Sequence, residues 1–142
     1  MKVFRSERGS AALEFLAAGV VLLVPLVYLV LTLGRIQSAQ LASESAVRHA
    51  ARIFVTAQNP VAAERQATTA MTDALADVNI PLSRARTTLT CSPTPTNCLA
   101  PGSWVRAQMR VSVYLPFIPP VFHLDEYARV VVTAEATQRV SL

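Results

Sequence analysis

From Phe15 to Leu33 the chain carries no charged side chain, and only Tyr28 and Thr32 bring polar groups. As a helix these 19 residues would span about 28 Å, close to the ~30 Å hydrocarbon core of a bilayer. Such a run suits a membrane helix, a helix buried in a core, or the apolar part of a cleaved export signal. Its flanks oppose the core helix, because Arg5 and Arg8 stand before it and Arg35 just after. Gly19 and Pro25 interrupt the run. Pro25 lacks a backbone donor and frees the Val21 carbonyl, a defect that membrane helices tolerate. The mean hydropathy of +0.38 owes most of its excess to this one segment.

A secretory signal fits less well. Its apolar region runs about 7–15 residues and ends at a small-x-small site. Here the run is longer, and cleavage after Ala39 or Ala42 would place Gln37 or Gln40 at the −3 position. A membrane span is the expectation. Lys2, Arg5 and Arg8 crowd the short tail before it, whereas Arg35, Arg48 and Arg52 are spread along the chain after it. That density favours a cytoplasmic N-terminus and an exported C-terminal part. Cys91 and Cys98 agree with export. They enclose six residues, two of them proline, in CSPTPTNC, the form of a short disulfide loop, and disulfides persist outside the cytosol. Two free thiols are the other reading of this pair.

With 142 residues there is room for one modest domain. After Arg35 the helical pattern continues to about Thr56 without Gly or Pro. Ala39, Ala42, Ala46 and Ala50, closed by Ile53 or Phe54, recur at spacings of three and four. Glu44 and Arg48 are placed for an i,i+4 pair. A helix from about residue 11 to 56 is too long for so small a domain, so its first half must project. A second helix is expected over about 60–79, with Asn59 as N-cap, Pro60 at the first position, and Asn79 and Pro81 ending it. Its apolar face would be Val61, Ala67 or Thr68, Met71 and Leu75.

The period then changes to two. Val105, Ala107, Met109, Val111, Val113 and Leu115 alternate with Arg106, Gln108, Arg110 and Ser112. Ala128, Val130, Val132, Ala134 and Ala136 alternate with Arg129, Thr133, Glu135 and Thr137. These are half-buried strands, expected over about 104–115 and 127–138, with a weaker one over about 85–90. The expected class is α+β: a small antiparallel sheet with one polar face, packed on the helices. Between the strong strands, PFIPPVFHLDE is proline-broken but apolar, and is expected to cover the edge of the core, the other reading being contact with a partner or the lipid surface.

Little chemistry is on offer. His123, Asp125 and Glu126 stand close together in that irregular stretch without a third ligand set, and His49 has no ligand spacing to the cysteines. No Gly-rich phosphate loop is present. Of the net charge of +4, half lies in the first nine residues, where Lys2, Arg5 and Arg8 face Glu7. The remainder is not the footprint of a nucleic-acid protein. No enzyme, cofactor, metal or small-molecule substrate is expected.

What remains is the stretch RGSAALEF, where Glu14 stands at the head of the apolar run. Counting from a cut after Gly9, Ser10 is the first residue, Glu14 the fifth and Phe15 the sixth. A glycine before the cut, then a carboxylate and an aromatic at those positions on a membrane helix, resembles type IV prepilins. The Glu-Phe pair resembles the Flp-type, tight-adherence branch. Further on, GRIQSAQLASESAVRHAAR is similar to the juxtamembrane helix of TadE-like proteins. The likeness extends from about Arg8 to Arg52; beyond it only the layout agrees.

That resemblance implies a minor pilin or pseudopilin with a leader over 1–9, a membrane segment over 10–34 and an exported domain over 35–142. It implies Gly9–Ser10 as the bond cut by a prepilin peptidase. It also implies that Glu14, beside Phe15, pairs with the terminal amine of an adjacent subunit. Its partners would be other pilin-like subunits and an assembly platform in the cytoplasmic membrane. A carboxylate at mid-membrane costs about 2.5–3.5 kcal/mol, so a paired Glu14 is easier to understand than a lone one. Read alone, Glu14 also suits the first turn of a helix at the membrane surface. Two other functions are compatible with the chain: an accessory subunit of an envelope secretion system that enters no filament, and an uncut, membrane-anchored binding domain.

Overall fold

A computed structural model describes residues 8–116 and 128–141, with side chains from residue 11 onward. The chain is α+β. Two helices, α1 (Arg8–Thr56) and α2 (Pro60–Ala76), precede a 3-10 turn at Leu82–Arg84. Three strands follow: β1 (Ala85–Ser92), β2 (Trp104–Tyr114) and β3 (Arg129–Arg139). They form one antiparallel sheet in the order β1-β2-β3. The apolar stretch over 117–127, with His123, Asp125 and Glu126, lies outside the described residues.

α1 is one unbroken helix of 49 residues with Pro25 inside it. Its two halves live in different surroundings. From Ala11 to Leu33 no residue is buried, whereas Ala39, Ser43, Ala46, Val47, Ala50 and Phe54 are. The buried stripe is wider than the alanine spacing indicates, because this half packs against α2 on one side and β2 and β3 on another. Ala42 is accordingly only half-buried, and Ser43 takes a core position. Its hydroxyl donates to the Ala39 carbonyl at 2.7 Å, so the burial leaves no orphaned polar atom.

α2 is closed at both ends by asparagines. Asn59 Oδ1 accepts from the Ala62 N–H at 2.8 Å, and Pro60 occupies the first turn. At the other end Asn79 takes φ of 55°. The Ile80 N–H reaches the Leu75 carbonyl at 2.9 Å and the Asn79 N–H that of Ala76 at 3.0 Å. This is the paired bonding of a Schellman end, with Ile80 laid back on the Leu75 side. The helix therefore stops at Ala76, three residues before the boundary expected from Asn79, because its last turn is consumed by the cap.

The face of α2 differs from expectation at its start. Ala63, Ala67, Met71 and Leu75 are fully buried, while Val61 is 78% exposed. The buried residues repeat every four, the line along which a helix lies close to a neighbour, and that line bypasses Val61. Small residues dominate the contact: Ala46, Ala50 and Ala51 from α1 share one core with Ala63 and Ala67.

The sheet supplies the other wall of this core. Val105, Ala107, Met109 and Val111 of β2 are fully buried, with Val132 and Ala134 of β3 behind them. Val113 is only half-buried and Val130 is exposed, although both fall on the inner face by alternation. A cleft of about 800 Å³ separates α1 from that end of the sheet. It is lined by Val30, Leu31 and Arg35 of α1 and by Ile80, Arg84 and Tyr114, so the core thins there. The same cleft places the Tyr114 end of the sheet beside the end of the apolar run.

Candidate functional site

The expected functional residues lie on the projecting half of α1, and that half is unusual in water. Fourteen large apolar side chains between Leu13 and Leu33 are 46–80% exposed, and they are distributed around the whole helix. Covering a Val or Leu side chain is worth about 1.5–3 kcal/mol, so leaving this segment uncovered forfeits on the order of 20 kcal/mol. A helix apolar on all sides needs lipid or other helices around it. This one is long and apolar enough to cross a membrane.

Gly9 and Ser10 fall in the first turn of α1. The leading N–H groups of any helix lack intrahelical acceptors, so this turn is the one most easily frayed to present an extended peptide. Glu14 and Phe15 lie in the next turn and are both exposed, Phe15 at 80%. Among the described residues no cation pairs with Glu14, whose helix neighbours Leu13, Phe15 and Leu16 are apolar. Thr32 donates its hydroxyl to the Tyr28 backbone carbonyl at 2.8 Å, which satisfies that polar group within the helix.

α1 passes from this exposed half into the core without a break. Glu14 is thus connected to Ala46 and Phe54 by a continuous helix that contains Pro25. Glu44 sits at the transition. It accepts from Gln40 Nε2 at 2.7 Å and pairs with Arg48 at 3.6 Å. These are exposed side chains, worth a few tenths of a kcal/mol at most, about 0.3–0.5.

The cysteines lie at the other pole. Cys91 and Cys98 are joined in a disulfide, with Cα atoms 5.3 Å apart. Cys91 stands opposite Val105 near the start of β2, far from the Tyr114 end. The bond closes the loop after β1. The structure therefore does not gather Glu14 and the cysteines into one site.

One grouping is not apparent from any single segment of the sequence. On the outer face of the sheet Arg86 stands directly opposite Arg110. Arg106, Arg129 and Arg139 project from the same face, and Glu135 is its one carboxylate among the described residues. Arg106 Nε binds Glu135 at 3.1 Å, and Gln108 Nε2 donates to the same side chain at 2.6 Å. At the two ends Arg139 lies over Trp104 and Arg84 over Tyr114, 5.7 and 4.5 Å from the ring centres. The alternation of β2 announces Arg106 and Arg110; only the register adds Arg86.

Among the described residues no group of three His, Cys, Asp or Glu side chains is placed to hold a metal. No protein-family model matches the chain, and no curated protein or solved structure matches it either.

Proposed function

We propose that this chain is a TadE-like minor pilin or pseudopilin, a non-catalytic structural subunit in the assembly of a tight-adherence pilus. The leader before Ser10 is cytoplasmic and is removed by a prepilin peptidase. The apolar half of α1 crosses the cytoplasmic membrane once, and the α+β domain lies outside. On assembly the same helix leaves lipid and packs among the helices of neighbouring subunits.

The observation that carries this reading is the position of Gly9, Glu14 and Phe15 at the head of a helix that is exposed, apolar on every side and continuous with the domain core. An anchor alone needs no carboxylate at its entrance and no stiff connection to its domain. A helix that must find a register among others uses both. Paired with a neighbour's terminal amine, the Glu14 charge is tolerated in a low-dielectric bundle where it would be costly alone.

The test is the mature N-terminus. The chain is expressed with and without an active prepilin peptidase, recovered from membranes and measured by intact mass and N-terminal sequencing. A chain beginning at Ser10 only when the peptidase is active is expected. A chain still beginning at Met1 in its presence rejects the reading in favour of an uncut anchored domain. Recovery of the cut form in sheared filaments then separates a pilus subunit from an envelope accessory that enters no filament.

A further inference from the structure

We propose that the outer face of the β-sheet is a docking surface for a linear acidic polysaccharide, with Arg86 and Arg110 as its carboxylate-binding centre. The inference rests on the strand register and does not depend on cleavage of the leader.

The starting point is an arrangement that folding alone disfavours. Arg86 and Arg110 are direct cross-strand partners, both exposed, with Thr133 next in the row. Like charges directly opposite destabilise a sheet. The pair is held in register, because a one-residue shift of β1 would turn Ala85, Leu89 and Cys91 away from the core. Among the described residues no carboxylate neutralises it: Glu135, the one on these strands, is already bound to Arg106 and Gln108. An ordinary solvated face mixes both signs. This one sets five strand arginines against Glu135, although the chain beyond the first nine residues has a net charge of only +2.

The chemistry of the face selects the partner. Every cation after Lys2 in the chain is arginine, whose planar fork matches a carboxylate with two parallel hydrogen bonds. Between the arginines stand Thr88, Thr90, Thr133, Thr137 and Gln108, which suit hydroxyl groups. Val131 is the one aliphatic side chain on the face. A protein interface needs a desolvated apolar centre, and the middle of this face has none. Single-stranded nucleic acid needs aromatic platforms spaced for successive bases. Here Trp104 and Tyr114 lie at opposite ends of β2, and each is covered by an arginine. A hydrated chain of uronate sugars needs only forks for carboxylates, partners for hydroxyls and a flat track, and the sheet offers all three.

The experiment uses the full chain in nonionic detergent and a fluorescent alginate oligomer, with dextran and a single-stranded oligonucleotide of equal charge count as comparisons. Alginate is expected to bind at low salt and to weaken at least tenfold as ionic strength is raised past the range where surface charges are screened. Replacing Arg86 and Arg110 by threonine should weaken it at least tenfold, as the loss of hydrogen bonds to a charged group does. Replacing Arg52 and Arg65, exposed cations on the helices, should change it by less than about twofold. Equal losses from the two double variants would reduce the effect to net charge and overturn the proposal. Equal or tighter binding of dextran or the oligonucleotide would overturn it too. A second readout is folding: Arg86→Thr should raise the thermal midpoint by about 1–4 °C, since it relieves the like-charge pair. A lowered midpoint would mean that the pair serves the fold, which also overturns the proposal.

Discussion

Glu14 lies four residues after Ser10 in α1, one turn along and on the same face of the helix. Cleavage before Ser10 would therefore create an amine at the level where a neighbouring subunit's Glu14 can meet it, at the head of the apolar segment. On the proposed reading, the pairing is a matter of register between subunits rather than of any folded pocket.

The first prediction concerns that carboxylate. Glu14→Gln keeps the shape of the side chain and removes its charge, which lowers the cost of insertion. Membrane insertion and cleavage are expected to continue at normal levels, while the amount of the chain in sheared filaments falls at least tenfold. Glu14→Asp, which retains the charge on a shorter stem, should recover part of the loss. Filaments that incorporate the Gln variant as well as the parent would remove Glu14 from assembly.

The second prediction concerns the ends of α2. Asn59 satisfies the Ala62 N–H, and Asn59→Ala should cost about 1 kcal/mol. Asn79 sits at φ of 55°, where a Cβ-bearing residue without a local polar group costs about 1–2 kcal/mol. Asn79→Ala should therefore lower stability while Asn79→Gly leaves it unchanged or improved. Thermal midpoints in nonionic detergent measure all three, with about 4–8 °C expected per kcal/mol for a domain of this size.

The third prediction concerns the loop at the far pole. Cys91 and Cys98 are seven residues apart in sequence, and closing so short a loop stabilises by about 2–3 kcal/mol through the unfolded chain. The double replacement by serine should lower the thermal midpoint accordingly and leave helix content unchanged, since the bond joins β1 to its own loop while α1 packs mainly on α2, β2 and β3. An unchanged midpoint would show that the bond contributes nothing to the folded domain.

Much of this architecture is legible from periodicity, and the misses have physical causes. The uninterrupted helix through Arg35 follows from the lack of Gly and Pro between residues 35 and 56, and the strands from their strict alternation. The caps of α2 were visible as Asn59-Pro60 and Asn79, because asparagine accepts N–H groups and tolerates positive φ. Val61 falls outside the buried line because hydrophobicity marks a residue that favours burial, whereas the crossing line of two alanine-lined helices decides which positions are buried. The arginine face is only partly legible, since alternation marks Arg106, Arg110 and Arg129 but not their grouping with Arg86. Net charge averages over Glu44, Glu64, Asp73 and Asp77 on the helices, and Arg86 meets Arg110 only through a pairing that joins residues far apart in the chain. Glu14 stands at the opposite extreme: the role proposed for it rests on Gly9 and Phe15, and the fold adds only its exposure and the continuous helix that joins it to the domain.

The last prediction tests that account of α2. Val61 is exposed and should be dispensable, so Val61→Ala is expected to change stability by less than about 0.5 kcal/mol. Ala63 is fully buried beside the small residues of α1, and a leucine there must force the helices apart or distort its own rotamer. Ala63→Leu should cost about 1–3 kcal/mol even though leucine is a good helix former and more hydrophobic. Ala67→Leu, one turn further along the same line, should behave alike. If the leucines were neutral and Val61→Ala costly, the buried face of α2 would be the one expected from hydrophobicity, and the close α1–α2 approach would be wrong. The same thermal midpoints, measured on the three variants side by side, decide between these outcomes.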